Sequence, residues 1–170
     1  MIVSDSTPLI YLAKLGNLPL IRKLFDEVRV PSEVMAEIMR GKGLGFEDAA
    51  VIERAEQEGW LKTVALGGDQ KGELLKLCRT FVDISRVDAA ALILAKSLRV
   101  AICVDDSRAV KVAEVLGLKH IGTLGIILLS VKRGLLSKGQ AEQMALSLPE
   151  RGFYVDAGLL SEFLRQLKRA

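Results

Sequence analysis

The chain has 170 residues, the length of one ordinary domain, with 24 Lys and Arg against 21 Asp and Glu and a net charge of +3. Half of it is hydrophobic and only 5% aromatic, so an aliphatic core is expected that needs neither disulfide nor structural metal to fold. The small net charge does not by itself argue for nucleic acid, and a single histidine, His120, excludes a zinc quartet and a Ser-His-Asp triad.

The predicted elements alternate. Strand-like runs lie at Ile2-Val3, Val28 to Val30, Leu61 to Ala65, Val100 to Val104 and Lys119 to Ile121. The first helix is expected over Pro8 to Leu15, with Thr7 as its cap and Pro8 at its first position. Further helices are expected over Leu18 to Asp26, Ser32 to Met39, Phe46 to Glu58, Lys71 to Thr80, Arg86 to Leu98 and Ser107 to Leu116. Thr123 to Arg133, Lys138 to Ser147 and Ala157 to Lys168 complete the set, with Thr123 as the cap of its helix. Gly41 to Gly45 holds three glycines in five residues and reads as a loop. The helix from Arg86 is apolar almost all round, which buries it on most sides. This alternation predicts an α/β fold in which a mainly parallel sheet is covered on both faces, as one domain over residues 1–170. No repeat, signal peptide or membrane-length apolar run is read, so a cytoplasmic protein without a membrane partner is expected. Cys78 and Cys103 read as free thiols in a helix and a strand.

Acidic residues stand where such a sheet would gather them. Asp5 follows the first strand and Asp105–Asp106 a later one, and ligands bind open parallel sheets outside the carboxyl ends of the strands. Glu37 lies four residues from Glu33 on one helical face, where like charges repel unless a cation is near. Ser85-Arg86-Val87-Asp88 reads as a capping box, yet Asp88 also lies one turn from the buried stretch of its helix. One of Asp105, Asp106 and Ser107 can cap the following helix, and Asp105, nearer the strand, is the better functional candidate. Carboxylates without histidine point to oxygen ligands for a hard divalent cation. Arg108 and Lys111 are candidate phosphate contacts, although a solvated helix face explains them equally well. Other signatures fail. The acidic pair follows a late strand rather than the first one, unlike a response-regulator receiver. Asp5-Ser6-Thr7 lacks the second aspartate of haloacid-dehalogenase phosphatases, and Gly122-Thr123-Leu124-Gly125 is no phosphate-binding loop.

The order Val3-Ser4-Asp5-Ser6-Thr7-Pro8-Leu9-Ile10, Val30-Pro31 with Glu37, Asp88, then Val104-Asp105-Asp106 resembles a PIN domain, and more closely the prokaryotic PIN-like group related to VapC toxins. Leu116-Gly117-Leu118, Ile121 to Gly125, Lys132 to Leu135 and the tail from Gly152-Phe153 to Leu160 extend the resemblance over nearly the whole chain. It implies a three-layer α/β/α fold with about five strands and Mg2+- or Mn2+-dependent RNA cleavage. In toxins it also implies a homodimer silenced by an antitoxin protein. It assigns Asp5, Glu37, Asp88 and Asp105 as the acidic site, with Asp5, Asp88 and Asp105 on the metal and Asp106 and Thr7 as additional candidates. One departure stands out. Relatives often carry glycine and glutamate just before the third acid, where this chain has Ser85-Arg86-Val87. Arg86 therefore keeps a non-catalytic scaffold that binds RNA or a partner protein as the alternative reading. A small-molecule phosphatase is a third.

Overall fold

In the computed structural model, which describes residues 1–170, the strands are short and aliphatic. They are β1 (Ile2–Ser4), β2 (Val28–Pro31), β3 (Leu61–Val64), β4 (Ile102–Cys103) and β5 (His120–Ile121). All pair in parallel, in the order β3-β2-β1-β4-β5. Ile2, Val3 and Ser4 are all buried, as a strand covered on both faces requires.

The helices are α1 (Ser6–Lys14), α2 (Pro19–Phe25), α3 (Ser32–Gly43), α4 (Glu47–Gln57), α5 (Gly68–Thr80), α6 (Arg86–Leu98), α7 (Ser107–Val115), α8 (Thr123–Lys132), α9 (Lys138–Ser147) and α10 (Ala157–Arg169). α6 lies across β1, β2 and β4, with α5 and α7 beside it. Elsewhere α2 packs on β2 and on α8, and α8 carries α9 and α10. Helices thus enclose the sheet in a three-layer α/β/α arrangement. No helix is long and apolar enough to cross a membrane.

This strand order positions the site. The chain steps outward from β1 to β2 to β3, then returns across α5 and α6 to β4 on the other side of β1. The order therefore reverses between β1 and β4, and a crevice opens where the connections leave in opposite directions from their carboxyl ends. α6 runs back toward the start of β4, so its first turn stands at that same edge.

Several boundaries depart from the sequence expectation. α1 starts at Ser6, with Asp5 in the cap position, so Thr7 is not the cap and Pro8 is the third helical residue. α3 continues through Gly41 to Gly43; only Leu44 to Phe46 forms the turn, where Gly45 has φ +85°. β4 is reduced to Ile102–Cys103: the Val100 N–H still bonds back to Ala95 of α6, although the Ala101 carbonyl already accepts from the Val3 N–H of β1. Leu9, Leu12, Leu18, Leu20 and Ile21 are buried in this chain's own core, and Ile10, Leu15, Leu24 and Phe25 are half-buried against it. Both cysteines are free, Cys103 buried in β4 and Cys78 half-buried on α5.

Seven consecutive residues of α6, Ala89 to Ala95, are buried. Leu92 is fully buried at its centre, so Leu92→Ala is expected to lower stability by about 2–5 kcal/mol in urea unfolding.

Candidate active site at the carboxyl edge of the sheet

Asp5 is the first residue past β1, and its N–H donates to the Cys103 carbonyl at 2.9 Å. That bond extends the β1–β4 ladder by one residue and holds the Asp5 backbone in the crevice. The residue is 2% exposed. It stands at the N-cap of α1 without making a side-chain cap bond, and its Oδ1 is buried with no hydrogen-bond partner. A buried, unpaired carboxylate oxygen is costly and calls for a partner. Burial pushes the Asp5 carboxyl well above its ordinary 3.8, the neighbouring Asp88 charge adds to this, the Ser6 N–H opposes it, and an Asp88 hydrogen bond and the Glu37 charge push it further up.

Asp88 sits in the first turn of α6, where half of the capping box read from its sequence forms: Ser85 is the cap, but Asp88 reaches back to the Ser85 hydroxyl and not to its N–H. The Asp88 N–H donates to Ser85 Oγ at 3.0 Å, and Ser85 Oγ donates to Asp88 Oδ2 at 2.7 Å. The cap and the site use the same side chain: Asp88 Oδ2 is tied to the Ser85 hydroxyl while the Asp88 charge acts on Asp5. Asp88 is half-buried rather than fully buried. Glu37 arrives from the second turn of α3, which starts directly after β2, and acts on Asp5 through its charge. One turn earlier on α3, Glu33 also has a buried oxygen, Oε2, without a partner. Arg86, at the first position of α6, is exposed; two residues from Asp88, it lies about 200° round the helix.

Asp105 lies two residues past β4 and is held differently. Thr123 donates to it twice, from its N–H to Oδ1 at 2.8 Å and from its hydroxyl to Oδ2 at 2.6 Å. Burial raises the Asp105 carboxyl and these two bonds pull it back. Thr123 is fully buried in the first turn of α8, where Gly122 occupies the cap position without a side chain. Asp105 thus caps α8 from a distant part of the chain, replacing the local cap expected of Thr123. A Cβ on Gly122 would meet Asp105 Oδ1 at 2.7 Å, so only glycine permits this approach. Asp106 has the structural task of the pair: its Oδ1 accepts from the N–H groups of Arg108 and Ala109, both at 3.0 Å, capping α7.

The structure therefore places Asp88 and Glu37 where their charges act on Asp5, and it turns Asp105 toward Thr123. No three His, Cys, Asp or Glu side chains are drawn together tightly enough to enclose an ion. The donor chemistry nevertheless suits a hard cation. It consists of carboxylates only, and the Asp5 Oδ1 has neither a hydrogen bond nor a neutralising cationic side chain. Thr7 and Tyr11 stand nearby on α1 and line, with Asp105, a cleft of about 410 Å3. Arg108 and Lys111 are exposed and line a separate groove between residues 80–84 and α7. Sequence reading missed Thr123 as the group that positions Asp105, since its partner lies 18 residues away. It also missed Tyr11, which carries no local signal.

Comparison with protein families matches residues 1–169 of the chain to the PIN domain. The chain belongs to that family, whose fold is in general a nuclease fold. Comparison with curated proteins finds no match.

Two outcomes follow from this geometry. A carboxyl raised by folding contributes its full stability below its unfolded value of 3.8, and that stability is lost as pH rises through the folded value. Asp5→Asn removes the ionisation. In a chelator at pH 7 it is expected to melt higher than the native chain, and below pH 3.8 the two should converge. Thermal unfolding across pH checks this. Gly122→Ala is expected to cost about 1–3 kcal/mol in urea unfolding, because Asp105 must move.

Proposed function

We propose that this chain, as one domain over residues 1–170, is a metal-dependent ribonuclease that hydrolyses RNA phosphodiesters endonucleolytically, and that it serves as the toxin of a toxin-antitoxin pair. The observation that carries the reading is the buried Asp5 oxygen without a partner, pressed by Asp88 and Glu37 at the strand-order switch. Asp5 and Asp88 would hold Mg2+ or Mn2+ together with Asp105. When bound, such an ion neutralises the acids and supplies a nucleophile from water near neutral pH. Asp5 gives the most desolvated ligand. Asp88 is oriented by Ser85, Asp105 is oriented by Thr123, and Glu37 orients the attacking water or shares a metal. Arg108 and Lys111 would contact the substrate's phosphates. A cytoplasmic homodimer held inactive by an antitoxin protein is the assembly that goes with this reading.

The alternative is a non-catalytic scaffold binding RNA or a partner protein. It is favoured by Arg86, which stands where relatives often carry an acid, and by the double hydrogen bond that occupies Asp105.

Cleavage of labelled RNA with added Mg2+, Mn2+ or chelator tests the proposal. Cleavage should require the ion, and Asp5→Asn or Asp88→Asn should reduce it at least about 10–100-fold with the fold retained by circular dichroism. A fully active Asp5→Asn variant sinks the site assignment, and a native chain without metal-stimulated cleavage leaves the scaffold reading.

A further inference from the structure

The cleft beside Asp105 is built from two distant parts of the chain. One wall is the start of α1, with Thr7 and Tyr11; the other is the segment from Gly152 to Asp156 that leads into α10. Three contacts pin the second wall to the first. The Tyr11 hydroxyl donates to the Gly152 carbonyl at 2.8 Å, and Arg151 Nη1 donates to the Lys14 carbonyl at 2.8 Å. The Tyr11 ring meets the Phe153 ring edge-on, 4.9 Å between centroids. Burial holds the Tyr11 hydroxyl in its protonated, donating form, and the Asp105 charge reinforces this. Gly152 makes the turn into the segment with φ +88°, a conformation that favours glycine.

Anchoring Phe153 has a consequence for its neighbour. Phe153 is buried, and successive side chains of an extended segment point to opposite sides. Tyr154 is accordingly turned outward and is 88% exposed, more than any other large hydrophobic residue of the chain. It lines the same cleft that ends at Asp105. An aromatic ring thus stands in water at the cleft that ends at Asp105, next to a backbone anchored at Gly152 and Phe153.

We infer that this cleft is a nucleobase subsite, in which an unpaired nucleotide of an RNA strand stacks on Tyr154. The inference deepens the ribonuclease reading and rests on it for the identity of the strand. Charge selects the part of the nucleotide. Asp105, Asp106 and Asp156 line the cleft, so a phosphate is repelled while a neutral base is accepted. The exocyclic amines of bases donate to carboxylates. Asp156 spends Oδ1 on capping α10 at the Leu159 N–H, 2.8 Å away, which leaves Oδ2 to accept from a ligand. Stacking on an aromatic face needs the base unpaired but tolerates any base, so the subsite selects single strands and loops over duplex without choosing a sequence.

Fluorescence anisotropy with a short labelled single-stranded RNA in chelator, which separates binding from cleavage, tests this. Tyr154→Ala is expected to weaken binding about tenfold, and Tyr154→Trp to retain it. Removing one base at a time from the RNA should reproduce the loss at one position with the native chain and cause no further loss with Tyr154→Ala. A duplex of the same sequence should bind weakly and without regard to Tyr154. Binding unchanged within about twofold in Tyr154→Ala, or in every abasic RNA, overturns the subsite. So does Tyr154-dependent binding of an arginine-bearing peptide when RNA binding ignores Tyr154. Metal-stimulated cleavage with Tyr154-independent binding removes the subsite alone. Tyr154-dependent binding without any cleavage removes the ribonuclease reading alone. Absence of RNA binding in chelator removes the subsite, and the ribonuclease reading then stands or falls on metal-stimulated cleavage alone.

Discussion

Everything at the carboxyl edge depends on where β1 is held. It is flanked by β2 and β4, and the ladder to β4 runs one bond past the strand through the Asp5 N–H and the Cys103 carbonyl. That bond fixes the Asp5 backbone at the point where the strand order reverses. Its side chain then enters a place with little water and two neighbouring acids. Such an arrangement opposes folding, because burial and like charge both disfavour the ionised carboxylate. A continuous core of 46 buried hydrophobic residues, centred on α6 and the strands, supplies the stability that offsets it. Local violation of the rules for buried polar groups, inside an otherwise consistent fold, is where function is expected to sit.

Asp105 shows how the other half of the edge is organised. Its two oxygens tie the end of β4 to the start of α8, so the helix after β5 is set relative to β4 through one carboxylate. Gly122 makes this contact sterically feasible. Asp106 meanwhile caps α7, so adjacent aspartates orient two different helices. The pair is a structural junction, and any ligand at Asp105 must share that carboxylate with Thr123.

Most of the fold was legible because aliphatic runs and helical periodicity are local signals. Strands, helices and the enclosed α6 follow from them, and Ser85 as the cap of α6 follows from a four-residue pattern. What failed were signals whose partners lie far along the chain. Thr7 and Thr123 carry the residue type of a cap, but Asp5 and Gly122 take those positions, because the turns are set by the β1–β4 ladder and by Asp105. Gly41 and Gly43 read as loop residues, yet the helix runs through them. The four acids could be placed near one edge from strand ends alone, but the separate holding of Asp105 could not, since Thr123 gives no sign of its partner. Tyr11, Phe153 and Tyr154 come together only because the chain's last segment folds back on its first helix.

The charge distribution also bears on why a cation belongs to the ribonuclease reading. Asp5, Asp88 and Glu37 raise the cost of any further negative charge at the crevice, and a phosphodiester is an anion. Without positive charge between them, substrate and site repel one another at short range in a setting of low dielectric. Three basic side chains of α6 and α7 do not fill that role: Arg108 leans on Asp106 at 3.6 Å, Lys111 lines a separate groove, and Arg86 is exposed. They can draw an RNA backbone alongside, but they do not neutralise the crevice. On the ribonuclease reading, a bound divalent ion would let the same carboxylates that repel the substrate hold it, so that reading joins the acidity of the site to a metal.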